Sequence, residues 1–377
     1  LPRIIDFATL RARKDTGDAG QSSQRENIMI RRWEIGALAA VSACALAAGA
    51  AAAADLTVTS FGGAYQDAQR EVYFEPFKQE TGLDLVEDVW NGGVGAIRAK
   101  VEGGGQEWDV VQVEAEELVI GCEEGLYELI DWEVLGGRDQ FIEAAVDDCG
   151  VGTIVWSTAI AYDGDKITED PPQSWADFWD TEKYPGKRGM RRHAKYTLEF
   201  ALMADGVPPD EVYEVLRTDE GVDRAFAKLD ELKDDIIWWE AGAQAPQLLA
   251  AGEVVMTNAY NGRISAANEE EGRNFKVVWP QSIYAVDSWV VLANSPHQEA
   301  AFQFIEFASQ PERQSNLPLA IAYGVTHKDA AAKIDPEILK DLPTAPENLE
   351  GAIELDTEFW VENVEPLMER FTAWAAQ

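Results

Sequence analysis

The stretch DLTVTSFGGAYQDAQREVYFEPFKQETGLDLVEDV, residues 55–89, holds a strand, a turn, a helix and a second strand in that order. Leu56–Ser60 is rich in residues that favour extended backbone, and Phe61-Gly62-Gly63-Ala64-Tyr65 makes a glycine turn. Apolar residues at helical spacing, Val72, Tyr73 and Phe77 among them, predict an amphipathic helix over Gln66–Thr81. Gly82 stops it, and Leu83–Val89 is the next strand. A loop with a short helix, Ala96–Val101, leads to a third, buried strand, Asp109–Val113. This alternation is a βαβ pattern, which builds a parallel sheet with ligands at the carboxyl ends of its strands.

Working outward, Thr153–Tyr162 is a long strand ahead of the polar turn Asp163–Asp170, and it reads as a crossing into a second lobe. That lobe opens with a loop at Tyr184–Arg192. Helices follow near Tyr196–Ala204, Pro209–Thr218 and Gly221–Leu232, then a strand at Ile236–Trp239, a helix at Ala245–Ala251 and a strand at Val254–Asn258. Ser288–Ala293 looks like the strand returning to the first lobe. It precedes a helix at His297–Ser309, stopped by Pro311. The helical end, Glu347–Ala376, carries Phe359, Trp360, Phe371 and Trp374 on one side. Two crossings imply discontinuous lobes around a cleft: 55–160 with 288–325, and 161–287 with 326–377.

Upstream, Met29–Ala54 has the form of an export signal. Arg31 and Arg32 precede the apolar run Ile35–Ala52, and small residues at Ala50–Ala54 predict cleavage before Asp55. Val41-Ser42-Ala43-Cys44 resembles a lipobox, so a lipoprotein attached at Cys44 is the alternative. Residues 1–28 are polar with no apolar periodicity, as an upstream start assignment would produce, and stand outside the fold. The expected location is the periplasm. Seven basic and five acidic residues precede Asp55, leaving 24 Lys and Arg against 63 Asp and Glu, a net charge of −39 on 323 residues. Nucleic acid and anionic lipid need positive surface, so both are excluded as partners. The charge reads as a solvated acidic shell or as a field that steers cations.

Cys122 and Cys149 remain beyond the export segment, and in an oxidising compartment they read as one disulfide. The histidines, His193, His297 and His327, show no metal-ligand spacing with them. No metal or other cofactor is expected.

Several segments in order resemble the periplasmic substrate-binding proteins of bacterial ABC importers, most closely the spermidine/putrescine-binding family. They are TSFGGAY, EWDVVQVEAEEL, WSTAIAYDGDKI, SWADFWDTEKYPGKRG, LLAAGEVVMTNAYNGR, YAVDSWVVLANSPHQEAAFQFIEFASQPE and AIAYGVTHKDA. The resemblance implies a two-lobed α/β fold of type II. Each lobe is a mostly parallel sheet flanked by helices, and two crossing strands join the lobes. It also implies a monomer that captures a small cationic or zwitterionic solute and hands it to a cognate permease in the inner membrane. The family's binding positions fall on Phe61, Gly62, Tyr65, Glu114, Glu116, Tyr260, Asp287 and Tyr323, with Asp287 as the carboxylate that takes an ammonium. Two departures matter. A family tryptophan two positions before that Asp is Ala285 here, and an acidic pair of the second lobe falls around Arg192–Tyr196, in the stretch RRHAKY, where cations replace it. Arg263 adds a cation near Tyr260, and the γ-aminobutyrate-binding branch has this arrangement of Arg and Asp.

The residues themselves support these roles with alternatives open. Asp287 reads as lying at a strand entrance, where a buried carboxylate needs a partner. Arg263 can bind a carboxylate with both arms of its fork, or pair at the surface with Glu269 or Glu270. Arg192 or Lys195 could assist it. Glu114 and Glu116 end a strand on the same side, and if both point inward they form a second anionic site. Phe61, Tyr65, Tyr260 and Tyr323 could close over methylenes or an ammonium. The other functional reading is a secreted hydrolase using Glu114 and Asp287 as a carboxylate pair, but no nucleophile elbow or Ser/His/Asp grouping accompanies them. Polyamine, γ-aminobutyrate-like zwitterion and betaine all remain open as the solute.

Overall fold

The computed structural model describes residues 55–103 and 107–377. The expected export segment, with Cys44 and everything before it, lies outside the described residues. The opening βαβ unit forms as predicted: β1 (Leu56–Ser60) and β2 (Leu85–Val89) run parallel, with Leu56 opposite Leu85 and Ser60 opposite Val89. The helical connection has a local defect. An α-helix over Gly63–Gln69 passes through a π-turn, Arg70–Phe74, into a second α-helix, Glu75–Thr81. Pro76 explains it, because proline has no N–H to donate and its ring crowds the carbonyl one turn back. The turn widens just before Pro76 and still buries Val72, Tyr73, Phe74 and Phe77.

The remaining main strands are β3 (Val110–Val113), β4 (Gly150–Asp163), β5 (Arg188–Arg191), β6 (Ile236–Trp239), β7 (Met256–Tyr260) and β8 (Phe275–Val291). Their order across the sheet is β2-β1-β3-β8-β4-β7-β5-β6. Each end of this sheet is a parallel three-strand set, β2-β1-β3 on one side and β7-β5-β6 on the other. Between them β4 and β8 pair antiparallel along their length, from Gly150 opposite Val290 to Asp163 opposite Phe275. The two lobes therefore share two long strands, as the crossings predicted. Register shifts at Gly152–Ile154 and Thr158–Ile160 bend this pair. Short pieces β9 (Gly324–Val325) and β10 (Ile353–Glu354) add to β4 and β8.

Three elements differ from expectation. The helical end expected from Glu347 is interrupted by β10, and its long helix begins only at Thr357. The stretch Tyr184–Arg192, expected as a loop, contains β5. Its sequence, Arg-Gly-Met-Arg, has no apolar alternation, yet Arg188 is fully buried. Its guanidinium donates to the carbonyls of Phe178, Asp180, Tyr184 and Gly186. The strand expected from Ser288 starts at Phe275. Pro280 masks its first half, since proline argues against an inner strand. The chain accommodates it in a bulge where Gln281 takes φ 63° and bonds to Trp175. Asp287 consequently lies inside β8, opposite Ile154, and not at a strand entrance.

The C-terminal helix, Thr357–Ala375, buries Phe359, Trp360, Phe371 and Trp374 as its pattern predicted. Among the described residues no helix is long and apolar enough to cross a membrane. Cys122, near the end of the helix Ala115–Glu123, is bonded to Cys149 at the start of β4, 27 residues on. Closing a loop of that length contributes roughly 3–4 kcal/mol in the chain-entropy model. Reduction should lower the melting temperature accordingly. Denatured, air-oxidised protein starting at Asp55 should titrate no thiol, and two thiols would rule the bridge out.

Candidate functional site

Phe61 and the Gly62-Gly63 turn follow β1, Glu114 follows β3, Arg191 ends β5, and Tyr260 ends β7 with Arg263 just beyond. These strand ends, from both parallel sets, converge on the middle of the β4–β8 pair, which contributes Ile154, Trp156 and Asp287. Phe61, Glu114, Arg191, Tyr260 and Arg263 line one cavity with them and with Tyr65 and Tyr323. Seven of the nine expected residues line it: Phe61, Tyr65, Glu114, Tyr260, Arg263, Asp287 and Tyr323. Gly62 is not among the lining residues, but its carbonyl accepts from Arg263, which is. Glu116 lines a neighbouring cavity instead.

Asp287 is 4 % exposed. Trp156 donates its indole N–H to Oδ1 at 2.5 Å, and Gln112 donates to Oδ2 at 3.4 Å. Among the described residues no cation pairs with it. Burial, and then the negative charge of Glu114, hold its carboxyl well above the usual carboxylate range. Trp156 was not expected, and the register explains it. Trp156 lies opposite Ala285 and Ile154 opposite Asp287, so all four side chains share one face of the sheet. The family places a tryptophan at position 285, and with alanine there the facing strand supplies the indole.

Two guanidinium groups line the same cavity. Arg263 is 4 % exposed and makes no surface pair with Glu269 or Glu270. It donates to the carbonyls of Gly62 at 2.6 Å and Phe61 at 3.0 Å, and its Nε–H has no partner. The glycine turn permits this approach. Gly62 and Gly63 take φ 61° and 57°, and a Cβ on Gly63 would stand 2.7 Å from the Arg263 guanidinium. The second cation is Arg191, not Arg192 or Lys195. Arg192 is half-exposed and faces Glu240 at 3.5 Å. Lys195 is buried off the main cavity, in contact with both Glu114 and Glu116. The motif RRHAKY was the right stretch, but nothing in it distinguishes which arginine turns inward.

Glu114 and Glu116 do not extend β3, which stops at Val113. Glu114 is the N-cap of the helix Ala115–Glu123, its N–H bonded to Glu117 at 2.9 Å, and Glu116 lies in the first turn. Glu114 accepts from the Arg191 guanidinium at 3.2 Å and from the Tyr196 hydroxyl at 2.8 Å. Burial alone would raise the Glu114 pKa, but Lys195 and Arg191 outweigh it and hold the carboxyl below the usual range. The walls are aromatic. Tyr260 meets Trp156 edge-on with centroids 5.2 Å apart, and Tyr65 meets Tyr323 at 5.1 Å. Such faces accept methylenes and an ammonium equally well.

An aromatic-walled cavity with charges of both signs is suited to a small polar solute. A family profile described as bacterial extracellular solute-binding protein matches residues 72–347. The chain belongs to this family. It is 51 % identical over 331 residues to the gamma-aminobutyric acid-binding protein of Pseudomonas aeruginosa, covering 88 % of this chain and 94 % of that one. A GABA receptor of known structure shares 36 % identity, over 86 % of this chain and 98 % of its own, with a TM-score of 0.75. MotA of A. tumefaciens B6, solved with glucopine, shares 31 % identity over 85 % and 99 %, with a TM-score of 0.80. Proteins of this family are binding proteins, not enzymes, and deliver a small solute to an ABC permease. The hydrolase reading finds no support. Glu114 is locked ionised among Lys195, Arg191 and Tyr196, where it cannot exchange protons near neutral pH.

The raised Asp287 pKa sets a sign for stability. The folded protein keeps a proton that the unfolded chain releases, so stability falls as pH climbs from the ordinary carboxylate value, about 3.9, toward the folded one. Ligand-free Asp287→Asn should therefore be more stable than wild type at neutral pH by about 1–3 kcal/mol, the scale of a buried group's desolvation. The gap should close as pH falls. A variant less stable than wild type at pH 7 in denaturant titrations contradicts this account.

Proposed function

We propose that this protein is a periplasmic receptor for a zwitterion with separated charges, an ω-amino acid such as γ-aminobutyrate. It acts as a monomer and passes the solute to a permease in the inner membrane. The observation that carries this reading is Asp287, a buried carboxylate met only by neutral donors in a cavity that also holds two guanidinium groups. An ammonium on Asp287 supplies the missing counter-ion through a charge-assisted bond, with Trp156, Tyr260 and Tyr323 around the methylenes. The ligand carboxylate then faces Arg191 and the unpartnered Nε–H of Arg263. The high identity to a γ-aminobutyric acid-binding protein supports the same solute.

A diamine fits this arrangement poorly. Its second ammonium would face Arg191 or Arg263, and like charges about 4 Å apart cost roughly 4 kcal/mol at an effective dielectric of 20. That is about a thousandfold in affinity. Calorimetry on wild-type protein should rank γ-aminobutyrate above putrescine and spermidine, with glucopine included because MotA binds it. Affinity should rise with pH until Asp287 is fully ionised in the free protein, because the ammonium selects that form. Arg263→Ala should weaken γ-aminobutyrate on the order of thirtyfold or more, the scale of a lost charged hydrogen bond. Micromolar spermidine binding with no response to γ-aminobutyrate would overturn the zwitterion reading.

A further inference from the structure

Lys195 is 1 % exposed, and its ammonium touches one oxygen each of Glu114 and Glu116. The backbone departs from helix to place it. Within the segment Ala194–Ala204, Lys195 is extended (ψ 134°) and Tyr196 takes φ 74°, a left-handed conformation that non-glycine residues seldom adopt. Strain of this kind persists only where surrounding contacts hold it. Here the contacts are the Lys195 ammonium and the Tyr196 hydroxyl, both on Glu114.

The acidic side of this cluster exceeds one ammonium. Glu116 is 3 % exposed and its Oε2 has no partner. Glu117, bonded to the N–H groups of Glu114 and Gly93, has its carboxyl pushed up to about 7 by burial and then by the charges of Glu114 and Glu116. Among the described residues, Lys195 and Arg191 are the buried cations that pair with this cluster. His193 is held neutral by burial and by the charges of Arg191 and Lys195. Glu114 and Arg191 stand in the partition between the main cavity and the neighbouring one that Lys195 lines. Asp287 and Glu114 thus face one cavity, and a diamine could bridge them if Glu114 and Glu116 lacked a cation of their own.

We propose that Lys195 is a specificity-determining residue that excludes diamines and polyamines, because its tethered ammonium already satisfies the Glu114 and Glu116 carboxylates that would otherwise draw a ligand's second ammonium past Arg191. The inference deepens the zwitterion reading of the same site. A tethered group holds its partner at high effective concentration without losing translational freedom, so a free diamine does not displace it. Removing the ammonium leaves Glu114 and Glu116 with Arg191 alone, and an external ammonium can then enter through the vacated space.

The test is calorimetric titration of wild type, Lys195→Ala and Lys195→Arg with putrescine, spermidine and γ-aminobutyrate, with circular dichroism to check the fold. Lys195→Ala should bind putrescine on the order of a hundredfold more tightly than wild type, because restoring a buried carboxylate's lost partner recovers most of its penalty. Lys195→Arg should exclude putrescine as wild type does. A folded Lys195→Ala that binds putrescine no better than wild type overturns the proposal, and so does Lys195→Arg gaining as much as Lys195→Ala. Should Lys195→Ala not fold alone, refolding in millimolar putrescine but not in sodium chloride supports it, and failure in both overturns it. Wild type ignoring γ-aminobutyrate would instead strike the zwitterion reading, while a gain of putrescine binding in Lys195→Ala would still assign the exclusion to Lys195.

Discussion

A buried carboxyl without a counter-ion, Asp287, stands where the main elements of this fold meet. Asp287 is buried because β8 runs through both lobes and pairs with β4 along its length. The same pairing presents Trp156 and Ile154 beside it and carries a parallel strand set on either flank. The strand ends of those sets then bring Glu114, Arg191 and Tyr260 to it from opposite sides. Neutral donors soften the cost but do not remove it, since a hydrogen bond to an indole is no substitute for a cation. The ligand-free state is thereby left less stable than it could be, and a solute that brings an ammonium recovers the difference. Affinity in such a site comes from relieving a defect already built into the protein.

The second carboxylate, Glu114, shows the opposite treatment. It is equally buried, yet Lys195, Arg191 and Tyr196 all bond to it. Breaking a buried ion pair is expensive, although the pair itself contributes little net stability against an apolar replacement. Its presence here is better explained by discrimination than by stability. One buried carboxyl lacks a cation and the other is satisfied, the contrast on which the proposed preference for a single positive charge rests. Arg263 works on a different part of the same problem. It ties the Asn261–Glu271 helix to the Phe61-Gly62 turn, so a ligand carboxylate that engages it also engages the contact between the two halves of the cavity.

What was legible in the sequence follows from the range of each interaction. The βαβ opening, the crossing strands and the aromatic C-terminal helix are written in local periodicity, and all appear. Asp287, Tyr260, Arg263 and Tyr323 were placed by likeness to a family whose motifs keep their spacing. Trp156 was not, because its role depends on which residue of β8 it faces, and register between strands 131 positions apart leaves no local trace. Arg191 was confused with Arg192 because adjacent residues on a strand point to opposite faces, and β5 gave no pattern from which to tell the faces apart. Pro280 hid half of β8 by obeying a rule that a bulge then circumvents. The helical placement of Glu114 and Glu116 was missed for a simpler reason: a strand end and a helix N-terminus share the residue between them.

The acidic surface gives the internal arrangement its purpose. A net charge of −37 attracts every cation, and a dication more strongly than a monocation or a zwitterion. Within about 10 Å of the surface at 0.1 M salt, polyamines are therefore concentrated over amino acids whatever the cavity prefers. Long-range electrostatics thus opposes selection of a zwitterion, and the choice has to be made where screening ends and contacts begin. Inside, Asp287 has no cationic partner among the described residues, whereas Glu114 is paired with Arg191 and Lys195, and Glu240 faces Arg192 at 3.5 Å. On the proposed zwitterion reading, a surface that recruits without discrimination is compatible with a selective receptor only if its interior reverses the sign of the preference.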